Sequence, residues 1–132
     1  EAILLLDVLE HVSNPHKFLT DIKGRADFIV IHFPLDLSAM SVLLEKPLLY
    51  SRHKVGHIHY FTKNLALELL RECGFEIIDS SYTNASLTAP QRSIKTKFFS
   101  MLRWVIYLAH KDVGVRLVGG ETLMVLAKPK KD

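Results

Sequence analysis

The chain has 132 residues, 48% of them apolar and 23% charged, enough for one domain with a real core and too apolar for a disordered segment. Seventeen basic against fourteen acidic residues leave a net charge of +3, too little by itself to imply a nucleic-acid partner. The lone Cys73 excludes an internal disulfide and reads as a packing residue in a reducing compartment.

Taken in chain order, Ala2 to Leu6 is a short continuous apolar run, the pattern of a strand buried on both faces of a parallel sheet. Asn14-Pro15 then opens a helix as N-cap and first helical residue; Phe18, Leu19 and Ile22 mark its buried face and Gly24 its end. Asp27 to Pro34 is a second buried strand, so the first three elements form a βαβ unit, whose crossover is right-handed. A short helix is expected from about Asp36 to Glu45, ended by Lys46-Pro47, and residues 51–61 read as a loop. Thr62 caps a helix through Cys73, with Leu65, Leu69 and Leu70 toward the core and Gly74 as its stop. Residues 75–83 and 121–128 read as two further strands, the last launched by Gly119-Gly120.

The connection between these last strands, about 84–120, is long and carries a helix at 93–111. Phe98, Leu102, Val105, Ile106 and Ala109 form one stripe of it, with Phe99, Trp104 and Tyr107 off the stripe. From Pro90 to Arg116 six basic residues face the single acid Asp112. A lid over a cleft, a packing or dimer helix and an interfacial membrane helix all fit this composition. No apolar run approaches the ~20 residues of a membrane span, and no signal peptide is visible, so the expected location is cytoplasmic, or peripheral to a membrane.

In order, LLLDVLEHV, NPHKFLTDI, DFIVIHFP, GHIHYFTKNLALELLRECGFEII and ETLMVLAKP resemble the C-terminal half of a class I S-adenosylmethionine-dependent methyltransferase. The likeness is nearest to the type 11/23-like group, whose fourth strand ends in a D-x-x-E-H-type turn. It implies an α/β fold: a partial Rossmann-like methyltransferase sheet of strands four, five, seven and six with flanking helices. Strands one to three are missing, and residues 1–132 form the C-terminal part of the domain with a helical insertion at about 84–120. None of the six glycines forms the G-x-G pattern that lets backbone approach the cofactor, so the expectation is a piece of a longer protein, inactive alone.

The resemblance implies that the backbone of Asp7 and Val8 lines the methionine side of S-adenosylmethionine. Glu10 and His11 then face the methyl-transfer cleft, where either can take the acceptor's proton, and His59 stands on its rim as a third catalytic candidate. Some relatives carry an E-x-x-E-H turn that binds magnesium. The corresponding set here is Asp7, Glu10, His11 and His57 or His59, with Asp7 one methylene shorter than that turn's first acid, and the primary expectation is no metal. A structural reading stands beside both: Glu10 and His11 cap the coming helix and bond across the turn. His16, His53 and His110 read as surface residues, and His32 as a buried, partnered histidine.

The expected partner is a small-molecule or lipid-like methyl acceptor and not a nucleic acid, with membrane contact through 93–111 as an option. An exposed sheet edge at the first strand would favour a homodimer. The alternatives to an enzyme are a non-catalytic remnant serving as a binding or assembly module, and a peripheral membrane-associating domain.

Overall fold

A computed structural model describes residues 1–83 and 94–130, without the side chains of 94–99 and 102. Apolar alternation builds its centre. In β2 (Phe28–Leu35) every second residue, Ile29, Ile31, Phe33 and Leu35, is buried, and β4 (Glu121–Pro129) buries Glu121, Leu123, Val125 and Ala127 in the same way. The antiparallel register pairs Ile29 with Ala127, Ile31 with Val125 and Phe33 with Leu123, so the two rows share one face. β1 (Ala2–Leu6) joins β2 in parallel and β3 (Phe75–Tyr82) joins β4 antiparallel, giving a mixed four-stranded sheet in the order β1-β2-β4-β3.

Helices close that face. Asn14 caps α1 (Pro15–Ile22) by accepting the Lys17 N–H at 2.9 Å, and α1 buries Leu19. Thr62 caps α4 (Lys63–Glu72), which buries Ala66, Leu67, Leu69 and Leu70 in the same core cluster. Leu65, expected on the core side of that helix, is instead exposed, because Ala66 and Leu67 take the inward positions. Cys73 packs in the core as expected, and burial pushes its thiol pKa up.

The first strand departs from expectation. The apolar run AILLL is buried on one face only: Leu5 is in the core, whereas Leu4 is 64% and Leu6 54% exposed. β1 lies at an edge of the sheet, and among the described residues no element covers its second face.

Residues 36–55 are more helical than their sequence suggests. A reciprocal Ser38–Ser41 capping box starts α2 (Ala39–Leu44), and Lys46-Pro47, read as a stop, instead begins α3 (Lys46–Tyr50). Proline costs nothing in a first helical turn, where its missing N–H has no partner to lose. The chain between the two helices turns at Glu45, with φ +53°. The stretch read as a loop opens with a π-helical turn, Ser51–Val55, ended by Gly56.

The helical insertion, α5 (Ile94–Val118), runs past its expected end and breaks at His110, whose backbone is extended. The His110 imidazole accepts the Val113 N–H at 3.4 Å and so caps the second segment. Within α5, Tyr107 is buried and donates to the Gly119 carbonyl at 2.5 Å, whereas Val105 and Ala109 are exposed, the reverse of the expected stripe. Phe98, Phe99 and Leu102 lie outside the described side chains, and the start of the connection, 84–93, lies outside the described residues. Lys63 and Tyr82 both reach Asp112, and Lys111 pairs with the buried Glu121, which ties the second segment to α4 and to the sheet.

Candidate functional site

At the carboxyl end of β1 the chain turns sharply at Asp7, a non-glycine residue with φ +53°. Aspartate tolerates this left-handed conformation better than most residues. Its carboxylate is turned outward and accepts from His32 Nδ1 at 2.6 Å, so His32 is the half-buried, partnered histidine that its place in the strand suggests. The turn continues with the His11 N–H donating to the Val8 carbonyl at 3.0 Å and carries Leu9 and Glu10 inward.

Glu10 is the unusual residue. Its side chain is 0% exposed, and neither carboxylate oxygen has a hydrogen-bond partner among the described residues. Burial pushes its pKa above the usual carboxylate range, opposed next by the amide of its own backbone; the Asp7 carboxylate adds to the rise, and His57 and His11 oppose it. Glu10 therefore lies beneath the surface of the end of the sheet and does not face an open cleft. Nor do Glu10 and His11 cap α1, because Asn14 does so.

Two imidazoles close over Glu10. His11 Nδ1 lies 2.9 Å from the Gly56 carbonyl, which can only accept, so the proton sits on Nδ1. His57 Nδ1 lies 2.6 Å from an Asp36 carboxylate oxygen, and the same reasoning protonates that nitrogen. Both rings thus turn Nε2 inward, 3.9 Å (His11) and 4.0 Å (His57) from Glu10 Oε1. The rings meet edge to face with centroids 5.0 Å apart. The second histidine comes from the end of the π-helical turn, where Gly56 adopts φ +88°, a conformation any side chain would strain. The Ile58 and His59 amides both donate to the Glu10 carbonyl, at 2.8 and 3.2 Å, and bind the two loops together.

The expected site residues therefore separate into two groups. Glu10, His11 and His57 converge, their ligand atoms all within 4.8 Å of one another. Asp7 is held by His32, outside that group, and Val8 contributes its carbonyl to the turn. His59 turns its Nε2 to the Val12 carbonyl at 2.9 Å, so its ring serves the loop junction. His16, His53 and His110 are at the surface. Asp36, which orients His57, escaped the sequence reading; its signal was an acid two residues after the proline near the end of β2, at the same sheet end as Asp7.

This arrangement suits a divalent cation. One carboxylate oxygen and two imidazole nitrogens point at a common space, and ligands sharing an ion lie within about 4 Å of each other. The Asp36–His57 and Gly56–His11 bonds are the outer contacts that fix a ligand histidine's tautomer. The enclosed, unpartnered Glu10 carboxylate is the observation that a cation would explain. Two nitrogens and one oxygen favour zinc or a similar transition ion over magnesium, which prefers oxygen.

Comparison with known proteins gives a fold. The chain superposes on the crystal structure of a "putative methyltransferase" from Bacillus halodurans with a TM-score of 0.57 and 15% identity, over 98% of its own length. It spans 64% of that protein. No family model matches the chain, and no curated protein does. The mixed sheet with flanking helices is thus a methyltransferase-like fold, with the Glu10–His11–His57 cluster at the carboxyl ends of its parallel strands, where open α/β sheets bind ligands.

Proposed function

We propose that these residues belong to a class I S-adenosylmethionine-dependent methyltransferase and form the acceptor side of its site. In this reading β1, β2, β4 and β3 are strands four, five, seven and six of a seven-stranded sheet. The donor's glycine-rich loop lies outside these 132 residues, which have no G-x-G pattern. The observation that carries the reading is the convergence of His11 and His57 on a buried Glu10 at the ligand-binding end of a methyltransferase-like sheet.

Methyl transfer needs an acceptor atom in line with the sulfonium carbon and a route for the acceptor's proton. The backbone at Asp7 and Val8 lines the donor's methionine side. His11, 39% exposed, is placed to take the proton of an acceptor hydroxyl on Nε2, when its ring is neutral, as the hydroxyl oxygen bonds to the methyl carbon. The carbon–sulfur bond breaks with its electron pair staying on sulfur. Asp36 and Gly56 hold the two imidazoles, and His59 keeps the loops in register through Val12. A divalent ion, if bound, would be held by Glu10 Oε1, His11 Nε2 and His57 Nε2, with His11 then a ligand in place of a base, and would supply Lewis acidity that lowers the pKa of a hydroxyl.

The test is equilibrium binding of radiolabelled S-adenosylmethionine to this chain and to a version extended upstream in its gene. The extended chain is expected to bind and the 132-residue chain is not. Micromolar binding by the short chain would overturn the division of the site. An extended, folded chain that fails to bind would overturn the methyltransferase reading.

One observation favours a second reading, contact with a membrane surface. Leu43 (82%), Leu108 (66%) and Tyr50 (64%) are exposed on α2, α5 and α3, and Trp104 is half exposed near Arg103. Among the described residues no helix is long and apolar enough to cross a membrane. Flotation with anionic liposomes, repeated with Leu43→Ser and Leu108→Ser, tests this reading, and equal flotation of all forms would end it.

A further inference from the structure

A cavity of about 600 Å³ opens between α2, the start of α3, α5 and the Gly119-Gly120 turn. Its apolar wall is Met40, Leu44, Pro47 and Val118. Its size is ordinary for a small-molecule site. Two charged residues line it, and they differ in kind. Asp36 is engaged by His57 at 2.6 Å. Arg103 has no hydrogen bond or ion pair among the described residues. Its guanidinium lies flat on Gly120: a Cβ there would stand 2.8 Å from Nη1 and 2.9 Å from Cζ, so only glycine leaves it this place. The stretch 84–93, outside the described residues, contains no acid that could neutralise it.

We propose that this groove binds an amphiphilic monocarboxylate, with its apolar chain or ring along Met40, Leu44, Pro47 and Val118 and its carboxylate on Arg103. A planar guanidinium matches a carboxylate with two parallel hydrogen bonds, and the low dielectric of an apolar wall strengthens them. One arginine balances one negative charge, and the Asp36 carboxylate on the same wall disfavours a doubly charged phosphate. As a binding site the groove stands on these contacts. As the seat of the methyl acceptor it rests on the methyltransferase reading, and there Asp36 is the link: it belongs both to the groove and to the support of His57.

The experiment is calorimetric titration of the full chain with hexanoate, octanoate and decanoate, against acetate, 1-octanol, octyl phosphate and inorganic phosphate. Affinity is expected to rise about fourfold per added methylene until the groove is filled. Arg103→Gln is expected to weaken octanoate on the order of tenfold or more and leave 1-octanol unchanged. If Arg103→Gln loses its fold by circular dichroism, Arg103→Lys, which keeps the charge without the planar fork, is expected to weaken octanoate by a smaller factor. Unchanged octanoate affinity in the folded Gln variant would overturn the proposal. So would acetate or inorganic phosphate binding as tightly as octanoate, octyl phosphate binding more tightly than octanoate, or no octanoate binding at all. None of these readouts uses the methyl donor. If octanoate binds as expected while the extended chain ignores S-adenosylmethionine, the groove stands and its role as acceptor seat falls.

Discussion

Replacing Glu10 by glutamine separates the chemistry of the cluster from its packing. The amide keeps the shape and removes the charge. Glu10 is fully enclosed, neither carboxylate oxygen has a hydrogen-bond partner among the described residues, and two imidazole Nε2 atoms face it. An unsatisfied buried polar group costs about 1–3 kcal/mol, and a charged one more. The glutamine amide can donate to, or accept from, one of the facing Nε2 atoms. Glu10→Gln should therefore stabilise the metal-free chain by about 1–3 kcal/mol at pH 8, roughly 3–6 °C in Tm per kcal/mol for a chain of this size. Because burial raises the folded-state pKa of Glu10, the folded chain holds its proton more tightly than the unfolded chain does. Stability from that proton is complete below the ordinary value of 4.5 and is lost as pH rises through the raised folded pKa. The variant's advantage should accordingly be absent in acid and open as pH increases. Added zinc should reverse the order. A ligand at a hundred times its Kd stabilises the wild type by about 2.7 kcal/mol and should leave Glu10→Gln unmoved. The assay is urea unfolding followed by circular dichroism at pH 4, 6 and 8, after chelation and again with zinc. A metal-free variant less stable than wild type at pH 8, or one that keeps the full zinc response, would refute the reasoning.

Asp36→Asn replaces the charged acceptor that orients His57 by a neutral amide, which can also donate and so no longer fixes the tautomer, and should lower cation affinity about 10- to 100-fold, with unfolding in chelator nearly unchanged; competition with a metal indicator reads this directly. The Tyr82 hydroxyl, and then the Lys63 ammonium, hold the Asp112 carboxyl below its usual range. Its contribution is therefore present above the ordinary value of 3.8 and lost as pH falls through the depressed folded pKa, so Asp112→Asn should flatten the acid limb of a pH–stability curve. Finally, the outer edge of β1 and its exposed Leu4 and Leu6 should drive self-association. Light scattering after size exclusion should give a mass above 15.0 kDa, reduced by Leu4→Lys, and a monodisperse monomer would count against it.

Much of the scaffold was legible without coordinates, because its signals are local. Apolar runs bounded by Pro34 and by Gly119-Gly120 marked β2 and β4, Asn14-Pro15 and Thr62 are side-chain caps that act within three residues, and Gly24 and Gly74 turn the chain with positive φ. Where neighbours decide, local signals failed. The run AILLL is as apolar as a doubly buried strand, yet its exposure depends on what lies beside the sheet. Lys46-Pro47 looks like a stop and is a start, since proline is compatible with both. The long helix buries Tyr107 and exposes Val105 because a break at His110 redirects the segment that follows.

The candidate site divides in the same way. The sequence by itself determined that acids and histidines follow the first strand, and that more histidines precede the Thr62 helix. Only the tertiary structure chose among them. Hydrogen bonds donated to distant residues, by His11 to Gly56 and by His57 to Asp36, turned two nitrogens inward, while His32 drew Asp7 away and Val12 held His59 aside. Residues 45 and 21 positions apart in the chain set those tautomers, a separation that no local pattern encodes.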